Sequence, residues 1–311
     1  MLMRDQAVDP GVYPDSTISP PPMLQLRATD YFSVPELPVA VLSMPSQLAT
    51  PLHRHDFAEL AIITGGAALH VTEQGSYPVA AGDVFFIPPE QVHGFSKPSS
   101  LSLCNVLFLP KRMQGPSKVL QAMPGYQALF ELEPRYRDAQ GSVGHLRLPS
   151  TELERVIALV REIETESKSY APGGEDMLQA MFIQLVVMLS RSYGKHSSAG
   201  GRRLLAVQKA IRRIESSHTE IISIIELARL TGMAPTTFKR IFKTVTGVSP
   251  INYVLQLRLA RACHHLRDVE KTVTEAAMAA GFNDSNYFAR QFRQRMGCTP
   301  REWRVSNRVG R

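Results

Sequence analysis

The segment PLHRHDFAELAIITGG carries His53, His55 and Glu59, and His93 follows in GDVFFIPPEQVHGF. Side chains alternate along a strand, so His53 and His55 point to one face. Glu59 lies four residues beyond His55 and shares that face if the strand continues. Three imidazoles and a carboxylate converging inside a small barrel could bind a divalent metal. They could equally hydrogen-bond the hydroxyls of a small polar ligand, or be no more than polar residues at a strand edge.

Residues 39–110 supply the strands. Apolar runs such as ELAIIT, ALHV, DVFFIP and LSLCNVLFL are separated by Gly, Pro and Ser, the punctuation of an all-β sandwich or barrel. Gly65–Gly66 and Ala81–Gly82 fall where tight turns are needed. Residues 1–22 hold Pro10, Pro14, Pro20, Pro21 and Pro22 without periodicity and read as a mobile arm. Glu152–Ser169 and Asp176–Ser192 read as two helices. Leu153, Val156, Ile157, Val160 and Ile163 form an apolar stripe on the first, and Met177, Met181, Leu185, Met188 and Leu189 one on the second. Each stripe could be core packed on the barrel or a dimer seam. The composition of GKHSSAGG predicts a flexible linker over Gly194–Gly201. The expected organisation is an arm over 1–22, a barrel over 23–148, a helical pair over 149–193, the linker, a helical domain over 202–305 and a tail over 306–311.

The helical domain contains one pattern twice. SIIELARLTGMAPTTFKRIFKTVTGVSP begins at Ser223, and TVTEAAMAAGFNDSNYFARQFRQRMGCTP begins at Thr272. Ser223, Glu226, Ala228 and Gly232 recur 49 residues later, and Arg240, Phe242, Gly247 and Pro250 recur 50 later. A repeat at fixed offset is one structural unit used twice. Each copy opens on a capping box, Ser223 with Glu226 or Thr272 with Glu275. A small inner residue (Ala228, Ala277), a helix-ending Gly (Gly232, Gly281) and a second helix follow. Phe238 and Phe242, like Phe288 and Phe292, lie four apart and predict an inward face. The other face is polar, with Thr236, Lys239, Arg240 and Lys243 in the first copy and Ser285, Asn286, Arg290 and Arg293 in the second. Arg can bond both acceptors of guanine, and Asn can bond adenine, in a major groove. A solvated helix face is the blander reading of either copy alone. Two copies in register favour recognition helices.

Charge agrees. Residues 202–311 hold 20 Lys+Arg against 8 Asp+Glu, whereas residues 1–201 hold 15 against 20, so the overall +7 is segregated into the repeat. Phosphate binding needs such an excess. No run of eighteen apolar residues spans a membrane, and the N-terminus lacks a signal-peptide pattern. Three scattered cysteines, Cys104, Cys263 and Cys298, predict reduced thiols and a cytoplasmic protein.

The repeat resembles the DNA-binding domain of the AraC/XylS family of bacterial transcription regulators over Leu204–Arg304. NYVLQLRLARACHHLRD and GFNDSNYFARQFRQRMGCTPREWR carry the likeness. It implies seven helices, with a long one near Ser249–Leu266 holding two helix-turn-helix units apart on double-stranded DNA. It also implies base reading by Thr236, Lys239 and Arg240, and by Ser285, Asn286 and Arg290. Ala234 departs from the family, which usually has a capping Ser there. HxH, Glu59, Gly66, Gly82, Pro88 and His93 resemble the cupin family. Glu90 and Lys97 depart from it, standing where cupins favour Gly and Asn. HRHDFAEL, LSLCNVLF and FNDSNYFARQFR are similar to the rhamnose-operon activators within the AraC family.

The resemblance implies an α+β chain of two domains. A cupin-like barrel with two trailing helices precedes an all-α domain with two helix-turn-helix units. The implied function is a homodimeric regulator, an activator working with RNA polymerase, with no catalytic activity and no cofactor. Its effector would be a sugar such as L-rhamnose, bound by His53, His55, Glu59 and His93. The alternative is a metal-dependent cupin enzyme acting on a sugar or small polar substrate, the same four residues holding the metal, with an accessory DNA-binding tail.

Overall fold

A computed structural model describes residues 23–32, 37–140, 145–169, 171–197, 199–216, 223–268 and 270–307. The expected arm over 1–22 lies outside the described residues, as does most of the expected tail. The first part of the chain forms β1 (Leu24–Leu26), α1 (Ala28–Tyr31), β2 (Val39–Met44), β3 (Thr50–His55), β4 (Ala58–Thr72), β5 (Gly75–Ala80), β6 (Asp83–Ile87) and β7 (His93–Phe108). The short helices α2 (Lys118–Gln121) and α3 (Pro124–Tyr126) follow, then a π-helical turn over Gln127–Leu132 that runs into α4 (Glu133–Gln140). Next come β8 (Leu146–Arg147), α5 (Ser150–Ser169) and α6 (Gly174–His196).

The strands make one sheet in the order β1-β3-β7-β4-β6-β8, with β2 also on β7 and β5 also on β4. All pairings are antiparallel except that of β1 with β3. β4 and β7 pair along their lengths, with register shifts between Ile63 and Leu69. Shifts of this kind bend strands, and here β4 changes its other partner from β6 to β5. Gly66 sits at the bend with φ +66°, where a Cβ would meet Ser100 O at 2.1 Å, so only glycine fits.

The alternation expected of the strands sorts β4 into two cores. Leu60 and Ile62 join Val84, Val106 and Phe108 against the helices. Ala61 and Ile63 join Phe85, Ile87 and Leu103 on the other face. Glu59 is in phase with the second set, so the polypeptide delivers its carboxylate to the barrel interior.

The helical pair forms, but its stripes serve mainly as core. Val156, Val160 and Ile163 of α5 and Leu185 and Leu189 of α6 are buried in the cluster that also holds the sheet residues. Met177 alone of the expected stripe is exposed, at 51%. The expected flexible linker is instead helical on both sides. α6 continues through Gly194 to His196, and the next helix, α7 (Ala199–Ser216), starts before Gly201. Ser197 forms a bridge with Leu146 and Gly201 is buried. The glycines are accommodated within helices on both sides of Ser197.

The second domain contains α7, α8 (Ile224–Thr231), α9 (Pro235–Thr246), α10 (Pro250–Leu266), α11 (Val273–Ala279), α12 (Ser285–Met296) and α13 (Pro300–Ser306). These are the seven helices implied by the resemblance, and the fold is α+β. No described helix is long and apolar enough to cross a membrane.

Candidate functional site

The barrel interior gathers all four residues singled out on the strands. His53, His55, Glu59 and His93 are buried, at 6%, 0%, 4% and 1% exposure. The His53 and His93 rings lie 4.3 Å apart between centroids. Nε2 of His55 is 3.2 Å from Nε2 of His93 and 3.4 Å from Oε2 of Glu59. The structure adds His70, whose Nε2 is 3.4 Å from Nδ1 of His93. Ala68, His70 and Thr72 are all buried along β4, so alternation alone signals an inward His70; no motif spacing does.

Backbone carbonyls fix the tautomers. Nδ1 of His53 lies 2.9 Å from Pro51 O, and Nδ1 of His55 lies 2.7 Å from Phe57 O. A carbonyl only accepts, so each Nδ1 carries the hydrogen and each Nε2 keeps a lone pair. Burial lowers the pKa of His53 and takes that of His55 down to about 4. Burial first, then the Arg137 guanidinium for His70 and the neighbouring imidazoles for His93, hold both well below the ordinary histidine range. Burial pushes Glu59 up to about 8. The cluster is therefore a set of neutral donors and acceptors. Among the described residues, Oε1 of Glu59 and Nδ1 of His70 are buried without a hydrogen-bond partner. Two orphaned polar atoms in a buried cluster suit a ligand bearing several polar groups.

The same donors fit a divalent metal. Ligand atoms of His55, Glu59 and His93 all lie within 4.8 Å of one another. Atoms about 2.0–2.2 Å from a tetrahedral ion stand about 3.3–3.6 Å apart, close to the 3.2 and 3.4 Å found here. An imidazole whose far N–H is held by a carbonyl is the usual outer shell of a metal-ligating histidine, and His55 has that arrangement.

The segment around His93 departs from the cupin pattern at two positions, Glu90 in the turn before it and Lys97 within β7. Glu90 and Lys97 adopt φ of 65° and 49°. This left-handed region favours the Gly and Asn for which they substitute. Glu90 is nonetheless held by its N–H donating to His55 O at 2.8 Å.

The second constellation is the doubled helix-turn-helix. Phe238, Phe242, Phe288 and Phe292 are all fully buried. Thr236, Lys239, Arg240 and Lys243 on α9 are exposed, as are Ser285, Asn286, Arg290 and Arg293 on α12. Gly232 and Gly281 take φ of 66° and 92° after the first helix of each unit. Caps differ between the copies. Thr272 and Glu275 close the expected box. Ser223 instead accepts from Ile225 N, and Glu226 turns to Arg213 at 3.1 Å. Ala234 gives α9 no side-chain cap, whereas Asp284 caps α12 by accepting from Tyr287 N at 2.7 Å.

The units also differ where sequence comparison of the copies gave an unused signal. Ile241 and Val245 of α9 are fully buried. Fifty residues on stand Gln291 and Arg295, half-buried and exposed. α9 has an extra apolar side, packed into the cluster that contains the helix-facing barrel core. The second unit has a core of its own, with Phe288 and Phe292 against Trp303.

Both constellations lie in segments that match known protein families. Residues 227–306 match the helix-turn-helix domain family, and residues 40–171 match the AraC-like ligand binding domain family. The chain is similar to the HTH-type transcriptional activator RhaR of Enterobacter sp. (strain 638), 30% identical over 92% of this chain and 98% of that protein. It is 27% identical to the RhaR activator of Mannheimia succiniciproducens, over 91% of this chain and 97% of the relative. An AraC-type DNA-binding transcriptional regulator of Chromobacterium violaceum, of known structure, is 29% identical over 34% of this chain and 95% of its own, with a TM-score of 0.31.

Proposed function

The chain belongs to the AraC family of transcription regulators, and from that premise we propose that it is a cytoplasmic activator switched by a small polyhydroxylated effector in the barrel. Binding to DNA follows from the family. The effector, its site and the base-reading residues are this reading's own content. The observation that carries it is a cluster of four histidines and a glutamate, buried in an apolar barrel with two orphaned polar atoms. A sugar presents both donors and acceptors, and neutral imidazoles meet both. The relatives are RhaR activators, which supports L-rhamnose as the first sugar to test.

In this reading His53, His55, Glu59 and His93 hold the effector, with His70 behind His93. Thr236, Lys239, Arg240 and Lys243 face one major groove, and Ser285, Asn286, Arg290 and Arg293 the next. The exposed Met177 and the half-buried Met181 and Met188 remain for contact between two copies. RNA polymerase is the partner an activator requires.

The donor geometry supports a second reading, in which His55, Glu59 and His93 hold a divalent metal. A bound metal would supply Lewis acidity toward a hydroxyl. The protein's part would be to hold the ligands and exclude water. Both halves match regulator families, which points away from the enzyme alternative.

Thermal unfolding of the full chain with L-rhamnose, other hexoses and divalent metals, each with and without EDTA, tests these readings. Ligand at a hundred times its Kd stabilises by about 2.7 kcal/mol, a rise in Tm of about 5–10 °C. A rise with L-rhamnose that His55→Ala abolishes supports the sugar reading. No shift with any sugar overturns it. A shift with metal alone supports the second reading.

A further inference from the structure

We infer that α4 couples the buried histidine cluster of the barrel to the first helix-turn-helix unit and leaves the second uncoupled. This rests on the reading of the barrel as a sensor and adds how its state is transmitted.

Arg137 of α4 is fully buried. Its guanidinium donates to Phe86 O and, at 3.1 Å, to Oε1 of Gln91, and it pairs with Glu133 at 3.1 Å on its own helix. Both outward contacts lead toward the histidine cluster. Gln91 is two residues from His93, in the turn that Glu90 ties to His55 O. Phe85, next to Phe86, has the guanidinium over its ring at 5.4 Å and packs on His70 at 4.8 Å. His70 thus reaches Arg137 through the Phe85 ring, and His93 reaches it along the chain through Val92 and Gln91. Displacement of either by a ligand changes what Arg137 holds.

The same helix packs against α9, the first recognition helix. Tyr136 of α4 shares a buried cluster with Ile241 and Val245. α7 supports the joint, since Nε2 of Gln208 donates to Oε1 of Gln127 in the π-helical turn leading into α4 at 2.6 Å. A buried cation with backbone and side-chain acceptors is held in one arrangement and costs much to disturb. It suits an element with discrete positions. The corresponding side of α12 carries Gln291 and Arg295 and belongs to a separate core.

Hydrogen–deuterium exchange of the full-length protein tests this without any effector, so a wrong assignment of the pocket's ligand leaves the test intact. Arg137→Met should speed exchange in α9 by about tenfold or more, with α12 unchanged. Val245→Arg, which places in α9 the residue type of Arg295, should speed exchange in α4 and in residues 86–93. Unchanged α9 exchange in Arg137→Met overturns the inference. Equal acceleration of α9 and α12 also overturns it, because that is general loosening. If Arg137→Met does not fold, Val245→Arg decides alone: faster exchange over 86–93 supports the coupling, and change confined to α9 refutes it.

Discussion

Nε2 of His55 and Oε2 of Glu59 lie 3.4 Å apart, both nearly sealed from solvent. Burial holds the first neutral down to about pH 4 and the second protonated up to about pH 8. In EDTA-treated protein the two should act in opposite directions. The folded pKa of His55 is below its unfolded value, so its neutral form stabilises above pH 6.5 and that contribution is lost as pH falls toward 4. The folded pKa of Glu59 is above its unfolded value, so its contribution is complete below pH 4.5 and is lost as pH rises through 8. Glu59→Gln should remove the alkaline loss, raising stability at pH 8 relative to the parent by on the order of 3 kcal/mol. Urea titrations at pH 5 and pH 8 measure it. An identical alkaline decline in the variant would show Glu59 ionised in the folded protein.

Arg290→Ala should lower affinity for an operator selected from random duplexes by about 10–100-fold, or about 1–3 kcal/mol. Binding to random-sequence DNA should persist and weaken with salt as before. Fluorescence anisotropy with both duplexes distinguishes the outcomes; unchanged operator affinity refutes a base-reading role.

Ala234→Ser should give α9 the side-chain acceptor that α12 already has in Asp284. The expected gain is about 1 kcal/mol in chemical denaturation. A variant no more stable than the parent would mean that the first turn of α9 is satisfied by solvent.

Lys97→Asn should relieve the left-handed backbone at φ 49°. Asn tolerates that region better than Lys, and a gain of about 0.5–1 kcal/mol is expected from the urea midpoint. A loss would place the cost elsewhere, in the contacts of the lysine stem.

What was legible in the sequence was whatever repeated locally. The strands, the paired phenylalanines and the inward histidines follow from periods of two and of three to four, set by backbone geometry. His70 obeys the same alternation, yet no short spacing links it to His93, which reaches it across the sheet. Arg137 sits in EPRYRDAQ, a segment as polar as any solvated helix. Its acceptors, Phe86 O and Gln91, lie about fifty residues back, so only the tertiary fold reveals its burial. Composition misread Gly194–Gly201 because glycine and serine also occur within helices, and here α6 runs to His196 while α7 begins at Ala199. Ile241 and Val245 were readable by aligning the copies, where apolar residues oppose Gln291 and Arg295.

The separate core of the second unit has a consequence for how such a protein acquires new targets. Substitutions on α12 that alter base preference meet the packing of Phe288, Phe292 and Trp303 together with Leu255 and Leu259 of α10. Under the coupling inferred above, they leave the barrel undisturbed. Substitutions on the buried side of α9 touch reading and sensing together. If the barrel binds an effector as proposed, promoter specificity can drift through one half-site while the inducer stays the same, and a change of inducer must be accommodated through the other.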